Sequence, residues 1–251
     1  MELGKLMIAH GIVNSSVLGT VNSSKSLLIG VCTYGELDNS QRRARLNLFR
    51  HLHEIQTGRT PSITYEILGF SDAGETANEI CDRSTKIIAF IDLSGHKKYM
   101  KIAVFGLAAL HPDFATLCVD APTGIGMFSF LKGLPVFIVI NKIDLCSQAT
   151  IQQTLECLTS LLKRGDGSVQ LKPYFIQNEA DLTKAADMFV NKNICPILSV
   201  SCVTGQNIDL LKRFFNILLP RLSSSKHEIL SELPVEYRVR QSLFIHIILF
   251  E

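Results

Sequence analysis

The 251-residue sequence carries no excess of charge of either sign: 25 Lys and Arg face 23 Asp and Glu, giving +2 at pH 7. Such a balance makes no polyanion-binding surface by itself, so nucleic-acid binding would require a local basic patch. Paired cysteine spacing is also missing. The seven cysteines, Cys32, Cys81, Cys118, Cys146, Cys157, Cys195 and Cys202, are odd in number and form no C-x-x-C pair. That argues against both a disulfide framework and a zinc module. Most of them fall in apolar runs and read as small buried residues in a reducing compartment. Long apolar runs are lacking too. Polar residues such as His10, Asn14, Ser15 and Ser16 break up residues 1–19, and the run 243–250 contains His246 and falls far short of the roughly 20 residues of a membrane helix. A cytoplasmic chain is expected. What the sequence does have is 47% hydrophobic residues, enough apolar surface to offset chain entropy in a folded globular protein.

Short β-rich apolar runs alternate with helical patterns, the signature of an α/β fold with a mostly parallel sheet and helices on both faces. The clearest runs are residues 86–93, 115–119, 135–141 and 195–201. A first strand over 12–18 is weakened by Asn14, Ser15 and Ser16, and 63–68 reads as an edge strand. Apolar residues at helical spacing mark 151–162, 207–218 and 43–55. In the last of these, Leu46, Phe49, Leu52 and Ile55 recur every three residues, which predicts a solvated amphipathic helix. Ser223, Ser224 and Ser225 mark a linker. In such folds ligands bind beyond the carboxyl ends of the strands, so the chemistry is sought there.

Four elements stand at those ends. Gly19-Thr20-Val21-Asn22-Ser23-Ser24-Lys25-Ser26 matches G-x-x-x-x-G-K-[ST] except that Ser24 replaces the second glycine. In such a loop, backbone N–H groups and a helix N-terminus surround phosphates, Lys25 neutralises β/γ charge, and the Ser26 hydroxyl binds Mg²⁺. Asp92-Leu93-Ser94-Gly95 follows a buried strand, placing an aspartate to hold a Mg²⁺-bound water and the Gly95 N–H to sense a γ-phosphate. Asn141-Lys142-Ile143-Asp144 supplies a carboxylate that can accept from the N1–H and exocyclic amine of guanine, with Asn141 and the Lys142 stem holding the ring. Adenine lacks that donor pair, so a buried Asp144 would select against it. Ser199-Val200-Ser201-Cys202 ends the last strand, where backbone groups of Ser201 and Cys202 can reach guanine O6. Each element alone also reads as an ordinary polar turn. Together, in this order, they favour a guanine-nucleotide site.

These residues resemble the translational-type GTPases and, within them, the GTP-binding protein 1/GTP-binding protein 2 family. The resemblance rests on Gly35-Glu36-Leu37-Asp38-Asn39, on the unusual string over residues 43–56 and on Glu66-Ile67-Leu68-Gly69-Phe70. It implies a P-loop NTPase G domain over residues 1–222, with 223–251 forming a linker and the truncated start of a β-barrel domain. It places Thr60 as a second Mg²⁺ ligand and His96 as the residue that orients the attacking water. It further implies bound GTP or GDP, hydrolysis of GTP to GDP and phosphate, and a link to the ribosome or a translation-associated RNA-protein complex. Ser24 stands where the family has glycine, Asn22 where it has aspartate, and Lys97 where many members have glutamate. The segment 121–134 is short for a parallel crossover. These departures leave open a degenerate G domain that binds nucleotide weakly without useful turnover. Strain at Ser24 met only on nucleotide binding would lower affinity.

Overall fold

The computed structural model describes residues 11–20, 23–39, 43–49, 63–70, 84, 86–96, 99, 112–121, 134–163, 171–189 and 194–220, with Lys101, Ala103, Leu107 and Leu110. Seven strands form one sheet: β1 (Gly11–Gly19), β2 (Thr64–Gly69), β3 (Lys86–Asp92), β4 (Phe114–Asp120), β5 (Val136–Asn141), β6 (Lys172–Phe175) and β7 (Ile194–Ser199). Their order is β2-β3-β1-β4-β5-β7-β6. All pairings are parallel except β2 with β3. Four helices are fully described: α1 (Lys25–Tyr34), α2 (Gln148–Lys163), α3 (Glu179–Phe189) and α4 (Ile208–Ile217).

Every residue of β4 and β5 is buried, as expected for central parallel strands covered on both faces. On one face α1, α3 and α4 enclose a core that includes Leu28, Leu182 and Leu211. Phe137 anchors it, its ring centroid 5.2 Å from Phe214 and 5.5 Å from Phe215, edge to face in both cases. On the other face, Leu158 and Leu162 of α2 pack on Leu117, Ile138 and Ile140. Ala103, Leu107 and Leu110, all helical, close over Ile91 and Leu93.

The polar residues of β1 do not interrupt it, because each finds a partner in or beside β4. Ser15 and Thr116 share a hydroxyl–hydroxyl bond of 2.9 Å, Ser16 Oγ donates to Phe114 O at 3.4 Å, and Asn14 N donates to Asp113 Oδ2 at 2.8 Å. The strand therefore runs the full nine residues.

Three expectations change. Residues 43–48 form a 3-10 helix instead of the first turns of an α-helix, and residues 50–55 lie outside those described. The segment packs on α1, where Gly30 is required because a Cβ there would run into the Ala44 carbonyl. The last strand stops at Ser199, so Ser201 and Cys202 belong to the loop beyond it. Finally, β6 and α3 form a unit that the sequence did not announce, paired to the outer side of β7. The interior of segment 121–134 and residues 221–251 lie outside the described residues. Within the described residues no helix is long and apolar enough to cross a membrane.

Candidate functional site

β1 ends at Gly19 and α1 begins at Lys25, so the intervening loop lies at the carboxyl edge of the sheet. Ser23 closes it, donating to Thr20 O from Oγ at 2.8 Å and from its backbone N at 3.2 Å. The Lys25 ammonium turns back into the loop and donates to Gly19 O at 3.2 Å and Thr20 O at 3.0 Å. Burial lowers its pKa below the ordinary lysine value, while the Asp92 carboxylate pulls it back up. Ser26 Oγ donates to Asp92 Oδ2, joining the start of α1 to the end of β3. Gly95 lies against both: a Cβ there would meet Gly19 O and Lys25 Nζ. The first turn of α1 carries no acidic residue and the Ser24 side chain does not cap it, so the positive end of the helix dipole favours an anion there.

Ser24 sits at φ 63, ψ 33, in the left-handed region, the conformation that favours glycine at this point of the loop. Its carbonyl accepts the Leu28 N–H at 2.8 Å, the opening hydrogen bond of α1. The left-handed turn is thus part of how the helix starts. His96 directly follows Gly95 and is half-buried, with its ring centroid 5.9 Å from that of Tyr99. Asn22 and Thr60 lie outside the described residues.

At the other end of the site, the loops after β5 and β7 are stitched together. Asn141 is fully buried. Its Oδ1 accepts from Lys142 N at 2.8 Å and Cys202 N at 3.3 Å, and its Nδ2 donates to Cys202 Sγ at 3.2 Å. Asn141 therefore works as a pin between two loops, and the backbone N–H groups expected to face a base oxygen point elsewhere: that of Cys202 donates to Asn141 Oδ1 and that of Ser201 to Gln206 O at 3.1 Å. Asp144 is exposed rather than buried. Its Oδ1 accepts from Ser201 Oγ at 2.6 Å, while the same hydroxyl oxygen accepts from Val203 N and Thr204 N.

One neighbour of these loops escaped the sequence reading, and two more stood in it only as part of the resemblance. Asp120, the last residue of β4, forms an ion pair with Lys142 at 2.9 Å. Leu37, 49% exposed, rests against Gly205 of the β7 loop, and the neighbouring Asp38 N donates to Cys202 O at 3.0 Å. An aspartate ending an apolar strand carries no distinctive spacing and gave no signal, whereas Leu37 and Asp38 stood in the string Gly35-Glu36-Leu37-Asp38-Asn39 that carried the resemblance, with no role attached to either.

The order of the sheet, the lysine-closed loop and the paired carboxylate-bearing loop meet in one known family. A model of the elongation factor Tu GTP binding domain matches residues 10–221. The chain belongs to that family. Relatives of this elongation factor Tu-type domain include human GTP-binding protein 2, 47% identical over 241 residues, a match covering 89% of this chain and 40% of that protein. Xenopus laevis GTP-binding protein 1 is 44% identical over 246 residues, covering 90% and 36%. The chain thus spans about two fifths of the length of the relatives it matches. Among solved structures, the fold is shared with a bacterial selenocysteine-specific elongation factor at TM-score 0.55 and 20% identity, covering 83% of this chain and 28% of that one. It is shared as well with the GTPase-like domain of Saccharomyces cerevisiae Ski7, at TM-score 0.56 and 15% identity, covering 82% and 46%.

Proposed function

We propose that this elongation factor Tu-type domain binds guanine nucleotide with Mg²⁺ and hydrolyses GTP to GDP and phosphate, as the G domain of a translation factor acting in ribosome-linked elongation or rescue. The observation that carries the reading is the Asp144 carboxylate, held by Ser201 and presented at the same sheet edge as the Lys25, Ser26 and Asp92 cluster. A carboxylate fixed there accepts the two N–H donors of guanine, while Lys25 and the α1 N-terminus take the phosphates.

The donor set suits Mg²⁺, because the Ser26 hydroxyl and the Asp92 carboxylate are hard oxygen groups already in contact. Ser26 and Thr60 are the residues that would hold it, with the Asp92 carboxylate beside Ser26 to accept from its hydration shell. The ion supplies positive charge to the β- and γ-phosphates. Lys25, already anchored on two loop carbonyls, shares that neutralisation. His96, next to the Gly95 that lies against the phosphate loop, is the residue we assign to orienting the attacking water. The ribosomal role comes from the family alone.

Titration of the full chain with fluorescent GDP and with fluorescent ADP tests the reading. Saturable GDP binding, strengthened by Mg²⁺ and at least about tenfold tighter than ADP, supports it. Equal binding of the two, or none, overturns it. One observation favours a second reading, a nucleotide-binding module without useful turnover: the left-handed serine in the phosphate loop. Single-turnover hydrolysis of bound GTP distinguishes the two.

A further inference from the structure

Lys142 precedes Asp144 by two residues on the same turn, and both stand at the base end of the site. An ammonium so close to a carboxylate has an evident alternative to holding a base: it can fold onto Asp144 and neutralise it. Asp120 offers it another partner. The Asp120 side chain is 5% exposed and that of Lys142 26%, with Lys142 Nζ 2.9 Å from Asp120 Oδ2. Asp120 is set rigidly, since it ends β4 in register with Asn141 and the next residue, Ala121, donates its N–H to Asn141 O at 3.1 Å. Lys142 is set as well. Its backbone is left-handed, φ 63 and ψ 36, with its N–H on Asn141 Oδ1.

We propose that Asp120 is a positioning residue of the base end, holding the Lys142 ammonium away from Asp144 so that the lysine stem forms a fixed platform and the Asp144 carboxylate stays open to guanine. This rests on the guanine-nucleotide reading above. Two physical effects combine. A lysine free in solvent loses considerable rotamer entropy when a ligand fixes it, and one already clamped loses little. A mostly buried carboxylate also competes for the ammonium better than an exposed one, because water screens it less. Asp144, meanwhile, keeps the neutral Ser201 hydroxyl as its partner.

The test compares GDP with IDP, whose base lacks the exocyclic amine, so the GDP-to-IDP affinity ratio reports how far Asp144 is available. Asp120→Asn removes the buried charge and leaves the partly exposed Lys142 to solvent, so no unpaired buried ion threatens the fold. The expected result is a faster GDP off-rate and a ratio lowered roughly threefold to tenfold. Adding Lys142→Met to that variant removes the competing ammonium and restores the ratio, which lost packing alone could not produce. Asp120→Glu keeps the charge and is expected to hold the ratio within about twofold. The proposal is overturned if Asp120→Asn leaves the ratio unchanged, if Lys142→Met fails to restore it, or if Asp120→Glu lowers it as far as Asp120→Asn. In each of those cases a parent that binds GDP well keeps the guanine-nucleotide reading intact. A parent that binds neither nucleotide overturns both.

Discussion

Ser201 Oγ lies 2.6 Å from Asp144 Oδ1 and donates to it, tying the loop after β7 to the carboxylate that follows β5. The bond fixes the orientation of an otherwise exposed acid, which is what a group reading a planar base requires. Asp144→Asn presents an amide N–H where the carboxylate accepted, so preference is expected to move from guanine to xanthine nucleotides. Loss of a charge-assisted pair costs about 1.5–3 kcal/mol, or roughly tenfold to 150-fold in GDP affinity. Competition of GDP and XDP for the variant checks this, and equal GDP binding by variant and parent removes Asp144 from base recognition.

His96 is predicted to separate catalysis from binding. It follows the glycine that touches the phosphate loop, and that loop is held by Ser23 and Lys25. His96→Ala should retain GTP while single-turnover hydrolysis slows about 10²-fold or more. An unchanged rate would exclude His96 from the reaction.

Ser24 calls for a different measurement from the one its sequence suggests. Because its carbonyl opens α1, the strain of its left-handed backbone falls on folding. Ser24→Gly should therefore raise the unfolding free energy by about 1 kcal/mol and leave GDP affinity within about threefold. Thermal melts and calorimetry decide. An unchanged melting temperature with a tenfold gain in affinity means that the strain is met on binding instead.

Lys86, the first residue of β3, donates to the carbonyls of Asn216 and Leu218 at the end of α4. Lys86→Met is expected to destabilise the domain by about 1–2 kcal/mol near neutral pH, through two lost hydrogen bonds to carbonyl acceptors. Burial pulls the Lys86 pKa down from 10.5 to about 8. Between those two values the unfolded chain binds more protons at this site than the folded one, so this residue makes stability rise with pH across that window. A neutral amine still donates, and the gap between parent and variant should widen from pH 8 to 10 in urea titrations. A gap that narrows contradicts the assigned cause.

The central strands were legible because burial on both faces leaves continuous apolar runs, as in β4 and β5. β1 was faint for a physical reason: its hydroxyls are satisfied across the sheet by Thr116 and the Phe114 carbonyl, pairings that a one-dimensional reading cannot see. β6 was silent, since it contains Pro173, has no buried residue and lacks the alternation of a half-buried strand over its four positions, exposed at Lys172 and Phe175 and half-buried between them. In α3 the buried residues are Leu182, Ala185 and Phe189, too thin an apolar stripe beside Asp181, Lys184 and Asp187. At the site, motif spacing located Lys25, Ser26, Asp92, Asn141 and Asp144, because the chain itself sets their separations. It could not locate Asp120, whose importance comes from lying beside Lys142 across two paired strands. Nor could it give the exposure of Asp144, which depends on what covers the loop.

β6 has a consequence for the protein in concentrated solution. Ile176 N donates inward to Ile197 O at 3.0 Å, and alternation along a strand then turns the backbone of Pro173 and Phe175 toward the outer side, where no further strand is paired among the described residues. Of those two outward positions one is a proline with no N–H to offer, and the strand begins with the exposed Lys172. A foreign strand arriving there would find a single donor and a charge in its way, so this border of the sheet resists the lateral growth by which unguarded sheets nucleate aggregates.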